Sequence, residues 1–149
     1  MLQVAEFRES CRSVYKAVSK FELNLQEELP DYYVKFVSEY ILQICLALIE
    51  CHRLGLHHCN LVLDYVVVQK QKDSQTNEHG FNHMFKLTYF APWIEEMFPA
   101  SISDHLLLKI LATRKHVLTK ADIQDVLRVK DLYNFGQTIM ELLLGKTGR

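Results

Sequence analysis

The sequence is poor in the residues and patterns that mark several common classes of protein. It has five glycines and three prolines among 149 residues, and it shows no internal repeat, coiled-coil heptad or low-complexity tract. No compositional break marks a linker, so we predict a single domain over residues 1–149. The charge is nearly balanced, with 17 basic and 18 acidic residues and a formal net charge of -1. This balance provides no broad basic field for nucleic acid or for an anionic membrane.

Paired cysteine motifs and long apolar runs are also missing. The four cysteines form no C-x-x-C pair: they are Cys11, Cys45, Cys51 and Cys59. Charges run through residues 1–20 and leave no apolar signal-peptide region, so we expect a reduced, cytoplasmic chain. The longest apolar stretch, from Tyr40 to Cys51, is interrupted by Gln43 and Glu50. It is too short and too polar to span a bilayer, and it predicts a buried helix instead.

The spacing of the apolar residues that are present predicts a mainly helical fold. Residues 1–29 are helical in pattern, with an extended or irregular link over 21–25. Pro30 and Asp31 begin a long helix that should end near residue 52 or 54, with Gly55 as its cap. Apolar residues cover more than one stripe of this helix, so we expect it to be buried on two sides.

Three further helices are predicted in the last third of the chain. Ser103 and Asp104 cap one helix, and Thr119 caps another. The last helix runs from Val129 to Leu144 and is closed by Gly145. Its apolar positions nearly encircle it, which predicts a central position in the fold.

Two short strands complete the predicted secondary structure. The β-branched run from Val62 to Val68 predicts one strand, and Phe85 to Tyr89 predicts a returning one. Between them, the polar stretch from Gln69 to Gly80 predicts an exposed loop. We therefore predict a mainly α fold with one small β-hairpin.

Three segments, in their order and separation, resemble the lower lobe of a eukaryotic protein kinase. That family carries a catalytic loop of the form H-R-D-L-x-x-x-N, a later D-F-G, and a central helix that begins D-x-Y-x-x-G or D-x-W-x-x-G. The stretch from His58 to Tyr65 matches the catalytic loop in spacing. Tyr89-Phe90-Ala91 falls where D-F-G would be, and Asp131 to Gly136 resembles the start of the central helix. The resemblance covers roughly residues 30–146 and is weakest over 92–128.

The residues that would perform the chemistry are replaced. Asn60 stands at the catalytic aspartate position, and an amide cannot act as a general base near neutral pH. Tyr65 stands at the position of the metal-binding asparagine and Tyr89 at that of the D-F-G aspartate, where a neutral phenol is a poor magnesium ligand. Cys59 replaces the arginine that would pair with a phosphorylated loop. We find no A-P-E before the last helix.

The resemblance implies retained packing without retained catalysis. His58 and Phe90 match core positions of the family, Asp131 matches the aspartate that binds the backbone of the catalytic loop, and Gly136 completes the helix motif. The implied protein is a pseudokinase, a partial protein-kinase-like C-lobe with no cofactor, no metal and no catalytic residue. The upper lobe, with its glycine-rich loop and strand lysine, and the last helices of the family have no counterpart in these residues.

Such a module would act by protein contact or scaffolding in signalling, with an active kinase or its substrate as partner. The alternative is a fragment of a divergent kinase whose full-length form transfers phosphate from ATP. Exposed apolar helix faces, such as one containing Leu142, Leu143 and Leu144, would favour self-association.

Three other interpretations of single residues stay open. The histidines and cysteines between Cys45 and Cys59 suggest a zinc site, although their spacing matches no common zinc signature. A cysteine–histidine nucleophile is conceivable, but no orienting third group accompanies it. Tyr65 and Tyr89 are either phosphorylation sites or side chains that fill the space of a lost metal site, and we favour the second.

Overall fold

A computed structural model of the chain describes residues 11–18, 30–70, 80–90 and 120–144. Over these ranges the protein is mainly helical, with one small antiparallel sheet. None of the helices in the described ranges combines the length and apolar character needed to cross a membrane. In chain order the elements are β1 (Cys11–Ser13), α1 (Val14–Val18), α2 (Asp31–Arg53), a 3-10 turn (Leu63–Tyr65), β2 (Val66–Lys70), β3 (His83–Leu87) and α3 (Lys120–Leu144).

The long helix α2 begins and ends where the sequence predicts. It starts directly after Pro30 and ends at Arg53, and Gly55 takes a φ of +75°, the left-handed conformation that glycine adopts without strain. Only one face is buried, however: Tyr33, Phe36, Val37, Tyr40, Ile44 and Leu48. The opposite face leaves Leu42, Leu46 and Ile49 about half exposed, so the prediction of burial on two sides is wrong.

The sheet contains the predicted hairpin and a third strand. β2 pairs antiparallel with β3 in a register that places Val66 opposite Leu87, which confirms the hairpin. β2 begins only at Val66, since Leu63–Tyr65 form the 3-10 turn, and β3 covers His83–Leu87 instead of Phe85 to Tyr89.

The third strand corrects the prediction for the N-terminal region. β1 pairs antiparallel with β2, with Cys11 opposite Gln69, so Cys11–Ser13 is a strand and not part of a helix. Only Val14–Val18 is helical in this part of the described chain. The remainder of that prediction lies in residues 1–10 and 19–29, and most of the predicted loop lies in 71–79, outside the described residues.

The last described helix is longer than predicted. α3 is one continuous helix of 25 residues, Lys120–Leu144, and not two helices meeting near Val129. It buries one side through Phe135, Thr138 and Leu142, whereas Leu132, Met140 and Leu144 are exposed. The predicted central position is therefore wrong for the described fold. The predicted exposed face is corrected at Leu142, which is buried, whereas Leu143 and Leu144 are exposed. The Thr119 cap, the helix after Ser103 and Gly145 lie outside the described residues.

The one buried face of α2 is wide enough to contact the sheet along one edge and α3 along the other. On one side, Phe36 and Tyr40 pack edge-on against Phe85 of β3, with ring centroids 5.2 and 5.5 Å apart. On the other, the hydroxyl of Tyr33 donates to the carbonyl of Leu142 at 2.6 Å and that of Tyr40 to Thr138 Oγ1 at 2.8 Å. α2 thus packs one face against both the sheet and α3, and the loop after α2 bonds to Asp131 of α3 and to Thr88, which follows β3.

Candidate functional site

The loop that follows α2 is held by one buried carboxylate of α3. Asp131 is fully buried, and its Oδ2 and Oδ1 accept the backbone N–H groups of His58 and Cys59 at 2.8 and 2.7 Å. Its Oδ2 also lies 2.9 Å from Nε2 of His52, at the end of α2. One side chain therefore joins three parts of the chain, and the donors offset the cost of burying its charge.

His58 connects this loop to the segment after β3. Its Nε2 lies 2.9 Å from the carbonyl oxygen of Thr88, and its Nδ1 accepts the backbone N–H of Asn60 at 3.3 Å. A carbonyl only accepts, so these contacts define the neutral tautomer with the proton on Nε2. Burial lowers the pKa of His58; the bond to Thr88 and the charge of Asp131 oppose that shift. The ring also packs on Phe90, with centroids 4.6 Å apart.

Tyr65 and Tyr89 meet at the edge of the same cluster. The backbone N–H and the hydroxyl of Thr88 both donate to the carbonyl of Tyr65, at 3.0 and 2.6 Å. The ring centroids of Tyr65 and Tyr89 lie 5.1 Å apart. Tyr89 is 71% exposed, so the expectation that it fills internal space is wrong.

Two residues of this cluster have an unusual backbone conformation. Cys59 and Tyr89 have φ values of 60° and 57°. These values lie in the left-handed region of backbone conformation, which residues other than glycine and asparagine rarely adopt. Each such residue costs on the order of 1–3 kcal/mol and persists only where its surroundings hold it, most often at functional sites. Here Cys59 is held by Asp131, and Tyr89 lies between Thr88 and Phe90, which both contact His58.

The remaining predicted residues have separate positions. Asn60 is half-buried and contacts His58 through its backbone. Gly136 lies on the exposed side of α3, and no atom of the described residues comes within 4 Å of a Cβ built there. A cavity of about 260 Å³ lies between one part of the loop, Leu61 and Val62, and the side of α3 formed by Tyr133, Asn134, Gln137, Thr138 and Glu141.

The cluster is rich in hydrogen bonds and poor in groups for proton transfer. The buried carboxylate of Asp131 is engaged by backbone donors, and His58 is held in its neutral form by burial. Burial, followed by the charges of Asp131 and Glu50, raises the pKa of Cys51 and so disfavours the thiolate that a nucleophile requires. Within the described ranges, no three His, Cys, Asp or Glu side chains lie close enough to hold a metal ion.

Sequence reasoning missed three polar residues that the fold uses. His52 contacts Asp131, while Glu39 and Gln43 of α2 bind the backbone of β3. Gln43 is recognisable in the sequence as an interruption of an apolar stretch, and Glu39 sits within the same helix. A polar residue beside a buried face often forms hydrogen bonds with the backbone of a neighbouring element. The position of Gln43 and Glu39 in an apolar helix was therefore the sequence signal for these contacts.

Comparison of the chain with protein-family models, with curated protein sequences and with solved structures found no match.

Proposed function

We propose that this chain is a catalytically inactive, kinase-like module of the pseudokinase type, which acts through protein contacts in the cytoplasm. The observation that carries the proposal is the pair of bonds from Asp131 to the backbone of His58 and Cys59. A kinase lower lobe uses the aspartate of its central helix in this way, and the resemblance assigned that role to Asp131. The packing of His58 on Phe90 adds support, because both are framework positions of the motif.

The same geometry supports the loss of catalysis. Phosphoryl transfer depends on positioned metal ions and a carboxylate that accepts the substrate proton. At the positions that the resemblance assigns to the catalytic aspartate and the two metal ligands, the chain has an amide, Asn60, and two phenols, Tyr65 and Tyr89, whose ring centroids lie 5.1 Å apart. Neutral phenols bind magnesium poorly, since the ion prefers carboxylate, phosphate and water oxygens.

Protein contact is the function best supported by the outer surface. The helix α2 turns Leu42, Leu46 and Ile49 outward, and α3 does the same with Leu132 and Met140. Large apolar side chains grouped on exposed faces are typical of interaction surfaces. An active kinase or its substrate is the partner class that follows from the kinase-like architecture.

The decisive test is a phosphotransfer assay on the whole chain. Wild type is incubated with radiolabelled ATP, magnesium and general protein substrates, and its melting temperature is measured with and without ATP and magnesium. We expect no labelling and no magnesium-dependent shift. Magnesium-dependent labelling that is abolished by Asn60→Ala, but kept by the half-buried control Asn134→Ala, would refute the proposal.

A restoring variant tests the kinase-like arrangement separately. In Asn60→Asp/Tyr65→Asn/Tyr89→Asp the three motif positions regain their carboxylate and amide oxygens. If these positions surround one metal site, Mn²⁺ binding followed by electron paramagnetic resonance should appear in this variant and be absent from Asn60→Ala/Tyr65→Phe/Tyr89→Phe. Equal behaviour of the two variants, with both folded by circular dichroism, would count against the arrangement.

A further inference from the structure

The outer face of α3 is an apolar surface without charge. Seven residues form it, and we call it the α3 outer face: Val129, Leu132, Tyr133, Gly136, Met140, Leu143 and Leu144. At 3.6 residues per turn they fall within an arc of about 120°. Its large side chains are between 39% and 59% exposed. An uncharged face of this width is more than the scattered exposed leucines of an ordinary surface.

The face is nearly symmetric along the helix about Gly136. Its members lie seven, four and three residues before Gly136, and four, seven and eight residues after it. Reversing the helix direction therefore superposes Val129 on Leu143 and Leu132 on Met140. A two-fold dimer requires such a self-complementary patch, because each copy presents the same surface to the other.

Glycine stands at the centre of this symmetry. A Cβ built at Gly136 meets no atom of the described residues within 4 Å, so folding of the described monomer gives no packing reason for a glycine there. Glycine in a helix interior destabilises the helix relative to alanine. A missing side chain does allow a second backbone to come close.

The charges beside the face fit the same arrangement. Lys130 and Glu141 are half-buried and lie on the same side of α3, next to the outer face, six residues before and five residues after Gly136; Glu141 also lines the cavity beside the loop. In an antiparallel pair with its two-fold axis at Gly136, Lys130 of each copy lies opposite Glu141 of the other. The pair thus gains two opposite-charge contacts, and a parallel arrangement would not form them.

We propose that the α3 outer face binds a second copy of this chain, as an antiparallel helix pair centred on Gly136. The exposed apolar residues of α2 fit this role less well, because Leu42, Leu46 and Ile49 form a smaller group, flanked on the same side of the helix by Lys35, Ser38 and Arg53. The dimer proposal shares Gly136, Leu132 and Met140 with the proposed function. It does not depend on the loss of catalysis, because it uses none of Asn60, Tyr65 and Tyr89.

Sedimentation equilibrium over a wide range of protein concentration tests the proposal. We expect wild type to dimerise, and Met140→Arg and Gly136→Leu each to raise the dissociation constant about tenfold or more by placing a charge or a bulky side chain at the contact. Leu46→Arg, a matched change at a residue of α2 that is 55% exposed, should leave the constant unchanged. Wild type that stays monomeric, or a dimer that responds only to Leu46→Arg, overturns the proposal.

A charge exchange tests the antiparallel register without touching the apolar contact. Lys130→Glu and Glu141→Lys should each weaken the dimer, since each places like charges opposite one another at both symmetric positions. The double variant restores opposite charges and should recover most of the wild-type affinity. Additive weakening in the double variant, with unchanged monomer circular dichroism, overturns the proposed register.

Discussion

Asp131 is the residue on which the candidate site depends. Its carboxylate is fully buried, yet it binds two backbone N–H groups of the loop and contacts His52 at the end of α2. The aspartate was recognisable in the sequence only through its motif, because an Asp within a helix is otherwise taken as solvent-facing. The contact of His52 with Asp131 was not recognisable in the sequence, because the two residues are 79 positions apart in the chain.

Removal of this carboxylate should destabilise the protein. Asp131→Ala leaves the buried N–H groups of His58 and Cys59 without acceptors, and we expect a loss of about 2–4 kcal/mol in the free energy of unfolding. Urea denaturation measures the loss. Asp125→Ala, an exposed aspartate on the same helix, should change stability by less than about 0.5 kcal/mol. Similar losses in the two variants would contradict the assigned role of Asp131.

At the scale of elements, α2 closes the open edge of the sheet. β3 is an edge strand, and such strands expose unpaired N–H and carbonyl groups to other chains. Here Gln43 accepts the N–H of Phe85 and donates to the carbonyl of His83, while Glu39 accepts the N–H groups of Asn82 and His83. A strand containing Phe85 was predictable from the sequence, although its bounds were two residues too late. The pairing with helix side chains was not predictable, because it depends on how the two elements lie together.

Glu39 should therefore matter more than an exposed glutamate. Glu39→Gln replaces one acceptor oxygen by an NH₂ group that opposes the backbone donors, and we expect a loss of about 1–3 kcal/mol. Hydrogen exchange at the amides of Asn82 and His83 should accelerate together with this loss. Glu50→Gln, at an exposed surface pair with Arg53, should cost much less stability, because solvent screens such a pair. Unchanged exchange at residues 82 and 83 would show that the strand does not need this contact.

At the scale of the whole molecule, two phenols join α2 to α3. Tyr33 donates to the carbonyl of Leu142 and Tyr40 to Thr138, and both aromatic rings are fully buried. Burial raises the pKa of Tyr33 to about 12, and burial also raises that of Tyr40. Both helices contribute their inward faces to one core, and their outward faces stay apolar and exposed, which is the basis for expecting contacts with other proteins.

These tyrosines predict an alkaline limit to stability. Their pKa values are raised in the folded state, so above about pH 10, the ordinary tyrosine value, the unfolded chain releases protons more readily and unfolding is favoured as pH rises. The free energy of unfolding should fall between about pH 10 and 12. The double variant Tyr33→Phe/Tyr40→Phe should be less stable at neutral pH and show a shallower decline, measured by urea denaturation. An equally steep decline in that variant would assign the loss to other groups.

The amino-acid sequence alone determined the local features of this protein. Pro30, a dense apolar stripe and Gly55 define α2, and the Val66–Val68 run defines one strand, because each depends on neighbouring residues and backbone preference. Only the tertiary structure decided that Cys11–Ser13 pairs as a third strand, that α3 is continuous through Val129, and that one face of each long helix remains exposed. These three features depend on which surfaces meet in the fold. The free energy of burying distant segments against each other cannot be read from any single stretch of the sequence.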